Sequence, residues 1–170
     1  MLKQRFVIRP KTHYQAKLFN RQGVLKWEDD FENLVTIAGM NNFLDATFKT
    51  GVTEPLWYIG LVDGAEEQIY DPADTMLLHE GWTEHMDYSE EVRQNFTPGT
   101  IAEGVVDNSD ARAVFTITGD GTVAGCFLVN DAVKEGTDGV LHGVGAFTGG
   151  SRPVEIGDTL RVTTTVSVEE

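Results

Sequence analysis

The chain has 170 residues, 41% of them apolar, and a formal net charge of −14, which supports one well-buried core undivided by any linker or low-complexity tract. An acidic body of this kind is excluded as a nucleic-acid grip, because phosphate contacts are made by Lys and Arg. With no apolar run of about 18 residues to span a bilayer and no basic-then-apolar opening of a secretory signal, the expectation is a cytoplasmically made, soluble product without direct nucleic-acid or membrane partners.

The charge is unevenly spread. The first 27 residues hold seven basic and no acidic side chains, leaving six basic against 27 acidic in the remainder, or +7 followed by −21. A solubility device would mix the signs, so the segregation predicts a basic arm that reaches an acidic surface on a neighbouring copy or another partner. Residues 1–23 are accordingly expected to be a basic N-terminal arm or first strand, and residues 24–170 a single β-sandwich domain. The candidate assembly contacts on the arm are Lys3, Arg5, Arg9, Lys11, Lys17 and Arg21.

In chain order, Tyr14 to Phe19 and Val24 to Trp27 flank Asn20-Arg21-Gln22-Gly23 and predict a hairpin, and Glu32 to Val35 continues extended. Thr36 is an N-cap candidate, and Ile37, Met40, Leu44 and Phe48 recur at helical spacing, predicting a helix from Thr36 to Phe48. Trp57 to Val62 reads as a strand closed by Asp63-Gly64. Asp71-Pro72 predicts one or two helical turns over Ala73 to Leu78. Gly81 to Thr100 reads as irregular structure with short edge strands. Ala111 to Thr118 alternates at period two, and Gly119-Asp120-Gly121 then predicts a hairpin into Thr122 to Val129, whose Phe127-Leu128-Val129 is apolar on both faces. Leu141 to Phe147 is a Gly-rich strand. Thr159 to Val168 alternates β-branched with hydroxyl residues and reads as the strand that locks a sandwich. Short strands with turn signals every eight to twelve residues predict an all-β fold with minor α content: an antiparallel, jelly-roll-like β-sandwich.

Candidate chemistry is thin. His79 and His85 stand six apart with Gly81 between them, whereas a helical zinc pair needs a spacing of about four; no metal site is predicted. Asp71 with Asp74, and Asp107 with Asp110, lack the Gly and terminal Glu of a calcium loop and read as turn residues. No Gly-x-Ser-x-Gly elbow and no phosphate-cradling glycine loop is present. Cys126 lies in an apolar string and reads as a buried, inert thiol. Neither an enzyme nor a cofactor is expected. Trp57, Tyr58, Trp82, Tyr88 and Phe96 read as core or interface anchors, with a sugar-stacking groove as the alternative.

The strings Glu32-Asn33-Leu34-Val35-Thr36, Leu56-Trp57-Tyr58-Ile59-Gly60-Leu61-Val62, Gly81-Trp82-Thr83-Glu84 with Tyr88-Ser89-Glu90, Ala113-Val114-Phe115-Thr116-Ile117-Thr118 with Gly121-Thr122-Val123-Ala124-Gly125-Cys126-Phe127-Leu128, and Gly145-Ala146-Phe147 with Gly157-Asp158-Thr159-Leu160-Arg161-Val162-Thr163 resemble small structural proteins of tailed bacteriophages. Some small β-sandwich members of that group are head decoration, or cement, proteins. The resemblance runs from about Val24 onward, rests on strand strings, and carries over no functional residue. It implies a virion structural protein made in the host cytoplasm, bound to the outer surface of the phage head. Its partners would be the major capsid protein and neighbouring copies in a homo-oligomer. The alternative is a glycan- or host-surface-binding module of a tail fibre or baseplate.

Overall fold

Tyr14, Ala16 and Leu18 alternate with Gln15 and Lys17 along β1 (Arg9–Phe19), and Leu160, Val162 and Thr164 alternate with Arg161 and Thr163 along β11 (Thr159–Glu169). In the computed structural model, which describes residues 9–49 and 56–169, these two strands pair antiparallel over their full length, from Arg9 opposite Glu169 to Phe19 opposite Thr159. Period-two alternation puts one whole row of each strand on the same face. Here that row is buried from Thr12 to Leu18 and from Leu160 to Thr164.

The remaining elements are β2 (Leu25–Glu32), β3 (Leu34–Val35), α1 (Ile37–Phe48), β4 (Trp57–Asp63), β5 (Gln94–Phe96), β6 (Val105–Asp107), β7 (Ala113–Thr116), β8 (Gly121–Val129), β9 (Leu141–Ala146) and β10 (Arg152–Val154). A single 3-10 turn spans Ser109–Ala111. One sheet runs β2-β1-β11, with β6 and β7 both pairing along β11; the other runs β3-β9-β8-β4-β5, with β10 on β8. All pairings are antiparallel. The fold is an all-β sandwich with one α-helix among the described residues.

Between the sheets lies the main core, in which Tyr14, Leu18, Ile59, Leu61, Phe115, Leu128, Leu160 and Val162 meet. The outer face of the second sheet is apolar too. Val62, Ala124, Phe127, Val129, Leu141 and Val144 form a second cluster there, roofed by Met76 and Trp82 from the β4–β5 connection. The doubly apolar β8 is therefore central and covered on both faces, the covering layer being a long loop of the same chain.

Of the two alternatives for residues 1–23, the segment from Arg9 onward is the first strand of the sandwich and not a free arm. β1 is flanked by β2 and β11, and its Thr12, Tyr14, Ala16 and Leu18 are 0–1% exposed, so removing it from the body would open the main core. The expected boundary between residues 23 and 24 falls inside the β1–β2 hairpin turn, where Gly23 adopts φ +76° and the Asn20 Oδ1 accepts from the N–H groups of Gln22 and Val24. Lys3 and Arg5 lie outside the described residues.

Two further expectations change. The strands on either side of Gly119-Asp120-Gly121 do not pair with each other: β7 joins β11 and β8 joins β4 and β9, so the turn carries the chain from one sheet to the other. Both strands have an apolar row to bury, and crossing the sandwich lets the two rows face each other. Ala73 to Leu78 forms turns in place of helix. Asp71 Oδ1 accepts from Ala73 N–H at 2.8 Å and Thr75 Oγ1 from Leu78 N–H at 3.1 Å, side-chain bonds that compete with a helical ladder.

Candidate assembly surface

α1 begins where the sequence places it. Thr36 is extended and its side chain accepts from Gly39 N–H at 3.0 Å, satisfying one of the free donors of the first turn. The helix is held from beneath by close backbone approach: a Cβ on Gly39 would collide with the His142 carbonyl. Thr36 N–H donates to that carbonyl at 3.0 Å, and Ile37 N–H donates to Pro72 at 2.8 Å. Gly39 is the one fully buried residue of the helix.

This seating turns the apolar stripe outward. Ile37, Met40, Leu44 and Phe48, spaced to share one face of a 3.6-residue helix, are 49%, 39%, 51% and 78% exposed. Leu77 and Leu78 of the roof loop are also exposed. Scattered apolar residues on a surface need no explanation, but a stripe along one helix face is an unsatisfied contact surface. The helical spacing of these residues is legible in the sequence; their exposure is not.

The basic residues are largely consumed within the chain. Lys11 Nζ lies 2.7 Å from Glu169, Lys17 Nζ 3.1 Å from Glu28, and His13 bonds Asp30. The hydrogen bond and charge of Glu169 raise the Lys11 pKa. Arg21 Nε donates to the Ile156 carbonyl at 2.9 Å, and Lys26 Nζ reaches Asp158 at 2.7 Å. Arg9 opens β1 as an exposed residue. The abrupt change of sign at Glu28 thus has an internal cause: β1 pairs directly with the acidic β2, bringing Lys17 opposite Glu28, Gln15 opposite Asp30 and His13 opposite Glu32.

The other candidates are structural. His79 stacks on the Trp82 indole with ring centroids 4.0 Å apart, while His85 is buried with Nδ1 3.0 Å from Asp63 Oδ2; the two histidines do not converge on one point. Among the described residues no group of three or more His, Cys, Asp or Glu is arranged to hold a metal. Asp74 Oδ2 accepts from Trp82 Nε1, and Asp107 Oδ1 from Ser109 N–H. Cys126 is fully buried, and burial pushes its thiol pKa upward, away from thiolate. Trp82, Tyr88 and Phe96 are buried, and Trp57 and Tyr58 are half-buried.

A buried ion cluster escaped the reading of the sequence. The Arg93 guanidinium is 0% exposed and donates to both oxygens of Glu84, at 3.0 and 2.8 Å, and to the carbonyls of Asp131 and Gly136. Glu84 Oε2 also accepts from Glu135 N–H at 2.9 Å. The bidentate geometry and the carbonyl acceptors together satisfy a charge that would otherwise be costly to bury. They tie the β8–β9 connection to the roof loop. Partners separated by 9 and 38 residues leave no local signature.

Among the described residues no helix is long and apolar enough to cross a membrane. No family model matches the chain, and no curated protein matches it.

Proposed function

We propose that the chain is a structural protein of a tailed-phage virion, bound to the outer surface of the head, where it reinforces the capsid by bridging neighbouring subunits. The observation that carries this reading is the outward apolar stripe of α1 on an otherwise acidic, firmly cored sandwich. Covering its four half-exposed side chains is worth roughly 1 kcal/mol each at the usual coefficient for apolar area. A contact of that size is weak alone. Repeated by symmetry on a shell, with each bound copy raising the effective concentration of the next contact, it becomes a persistent attachment. The resemblance of the strand strings to small phage structural proteins supports the same location, with the major capsid protein as the partner that covers the stripe.

The test is co-sedimentation of the purified protein with heads of the virus that encodes it, prepared without this chain. Wild-type protein is expected to pellet with heads at a fixed copy number, and a Leu44→Glu/Phe48→Glu variant to stay in the supernatant while keeping its far-UV spectrum. Absence of the chain from purified virions by mass spectrometry would end the proposal.

A further inference from the structure

A local cluster of cations and a local cluster of carboxylates lie on the two sheets of the sandwich. On the outer face of the sheet containing β1 and β11, Lys17 and Arg161 stand directly across from each other. Arg112, just before β7, joins them and donates Nε to Thr163 Oγ1 at 3.1 Å. These three cations line a groove of about 140 Å³ together with Gln15, Phe19 and Thr163. Like charges directly opposite on neighbouring strands are destabilising, and here the compensation is partial. Lys17 is held by Glu28, whereas Arg161 lies over the Phe19 ring at 4.8 Å and, like Arg112, is in none of the ion pairs among the described residues. Two guanidinium forks with no ion-pair partner among the described residues, in a chain of net charge −14, form a surface complementary to acidic side chains.

The carboxylate cluster lies on the roof over the second sheet. Asp63, Glu66, Glu67 and Glu80 surround one concavity there, with no Lys, Arg or His in its lining. Glu66 and Glu67 are exposed on a turn in which Asp63 Oδ1 accepts from Ala65 N–H at 2.8 Å and the Asp63 carbonyl accepts from Gln68 Nε2 at 3.2 Å. Both carboxylates are exposed on that turn. Glu66, Glu67 and Glu80 take part in none of the ion pairs among the described residues either.

We propose that copies of this chain associate head to tail, the Glu66-Glu67 turn of one copy entering the Lys17, Arg112 and Arg161 groove of the next. The contact is heterologous: each copy offers one basic groove and one acidic turn, so repetition yields a ring where the rotation closes and a row where it does not. A second copy is the occupant because both halves of the charge complementarity are on this chain, on opposite sides of the sandwich. The contact stands whether or not the chain belongs to a virion, and it uses residues separate from the α1 stripe.

Sedimentation velocity on the full chain tests it. At about 0.15 M salt the Debye length is about 8 Å, so the mutual repulsion of two acidic bodies is screened while contacting charges still attract. Wild-type protein is expected to associate with rising concentration there, and several-fold more weakly at about 0.5 M salt. Arg112→Glu/Arg161→Glu and Glu66→Arg/Glu67→Arg are each expected to be monomeric with unchanged circular dichroism, since all four positions are exposed. An equimolar mixture of the two variants should associate again. A monomeric wild type, association indifferent to both charge reversals, or a mixture that stays monomeric would overturn the proposal. Binding of a Glu-rich peptide to a wild type that does not self-associate would likewise overturn it, assigning the groove to a different acidic partner.

Discussion

β1 and α1 both touch His142 of β9, and they use apolar side chains in opposite ways. β1 turns Tyr14, Ala16 and Leu18 inward to full burial and shows water a row of Lys11, His13, Gln15 and Lys17. α1 turns Gly39 inward and shows water Ile37, Met40, Leu44 and Phe48. His142 on β9 lies between them, its Nε2 3.1 Å from Thr12 Oγ1 of β1 and its carbonyl beneath Gly39 of α1. The contrast separates two duties: β1 holds the body together, and α1 is attached by a cap and a close backbone approach that leave its apolar face for another surface to cover.

The largest expected effect is in β1. Leu18→Ala removes a fully buried side chain from the main core and is expected to cost about 3 kcal/mol, read as a lowered urea midpoint. A loss under about 1 kcal/mol would mean that β1 is dispensable to the core and would erase the contrast.

The joint between the two regions is expected to be pH-sensitive. Burial lowers the His142 pKa from 6.5 to about 4, so between those values the unfolded chain binds a proton that the folded chain does not. The stabilisation is complete above the unfolded value and is lost as pH falls toward the folded one, by about 3 kcal/mol at most. Chemical denaturation between pH 7 and pH 4 reads it, and His142→Gln should flatten the slope over that interval. An unchanged slope in the variant would assign the pH dependence elsewhere.

A smaller effect is expected from Gly39→Ala. The new methyl gains roughly 1 kcal/mol of helix propensity but meets the His142 carbonyl, and overpacking of this kind typically costs about 1–3 kcal/mol. Because the methyl meets backbone that cannot swing aside, the net change should be a loss of about 2 kcal/mol, with amide exchange quickening in α1 and staying slow in β1. Equal quickening in both would show that the helix is part of the same cooperative unit as the sheet. Smallest of all, Leu44→Ser should shift stability by no more than about 0.5 kcal/mol. A drop comparable to that of Leu18→Ala would mean the stripe is already covered within the molecule.

Much of the architecture was readable from local pattern. The alternation from Leu160 to Val168 marks β11, Asn20 to Gly23 marks the first hairpin, and Thr36 marks the helix start, each because the determining chemistry lies within a few residues. What failed was non-local. Periodicity tells which residues share a face and leaves open what covers it, so the cations of β1 read as an arm and the stripe of α1 marked a helix without saying which way it faces. Gly119 to Gly121 marks a turn, yet only the positions of β4 and β11 decide that it crosses the sandwich. Arg93 and Glu84 carry no pattern at all, since their pairing exists only once two loops meet.

The ladder between Arg9–Phe19 and Thr159–Glu169 also sets the order in which the protein can be made. A ribosome adding about 5–20 residues per second needs on the order of ten seconds between releasing the first strand and releasing its partner. β4, β8 and β9 emerge within that interval and can pair first. Meanwhile Tyr14, Ala16 and Leu18 wait with one strand edge unpaired, exposed to whatever other nascent chains are nearby.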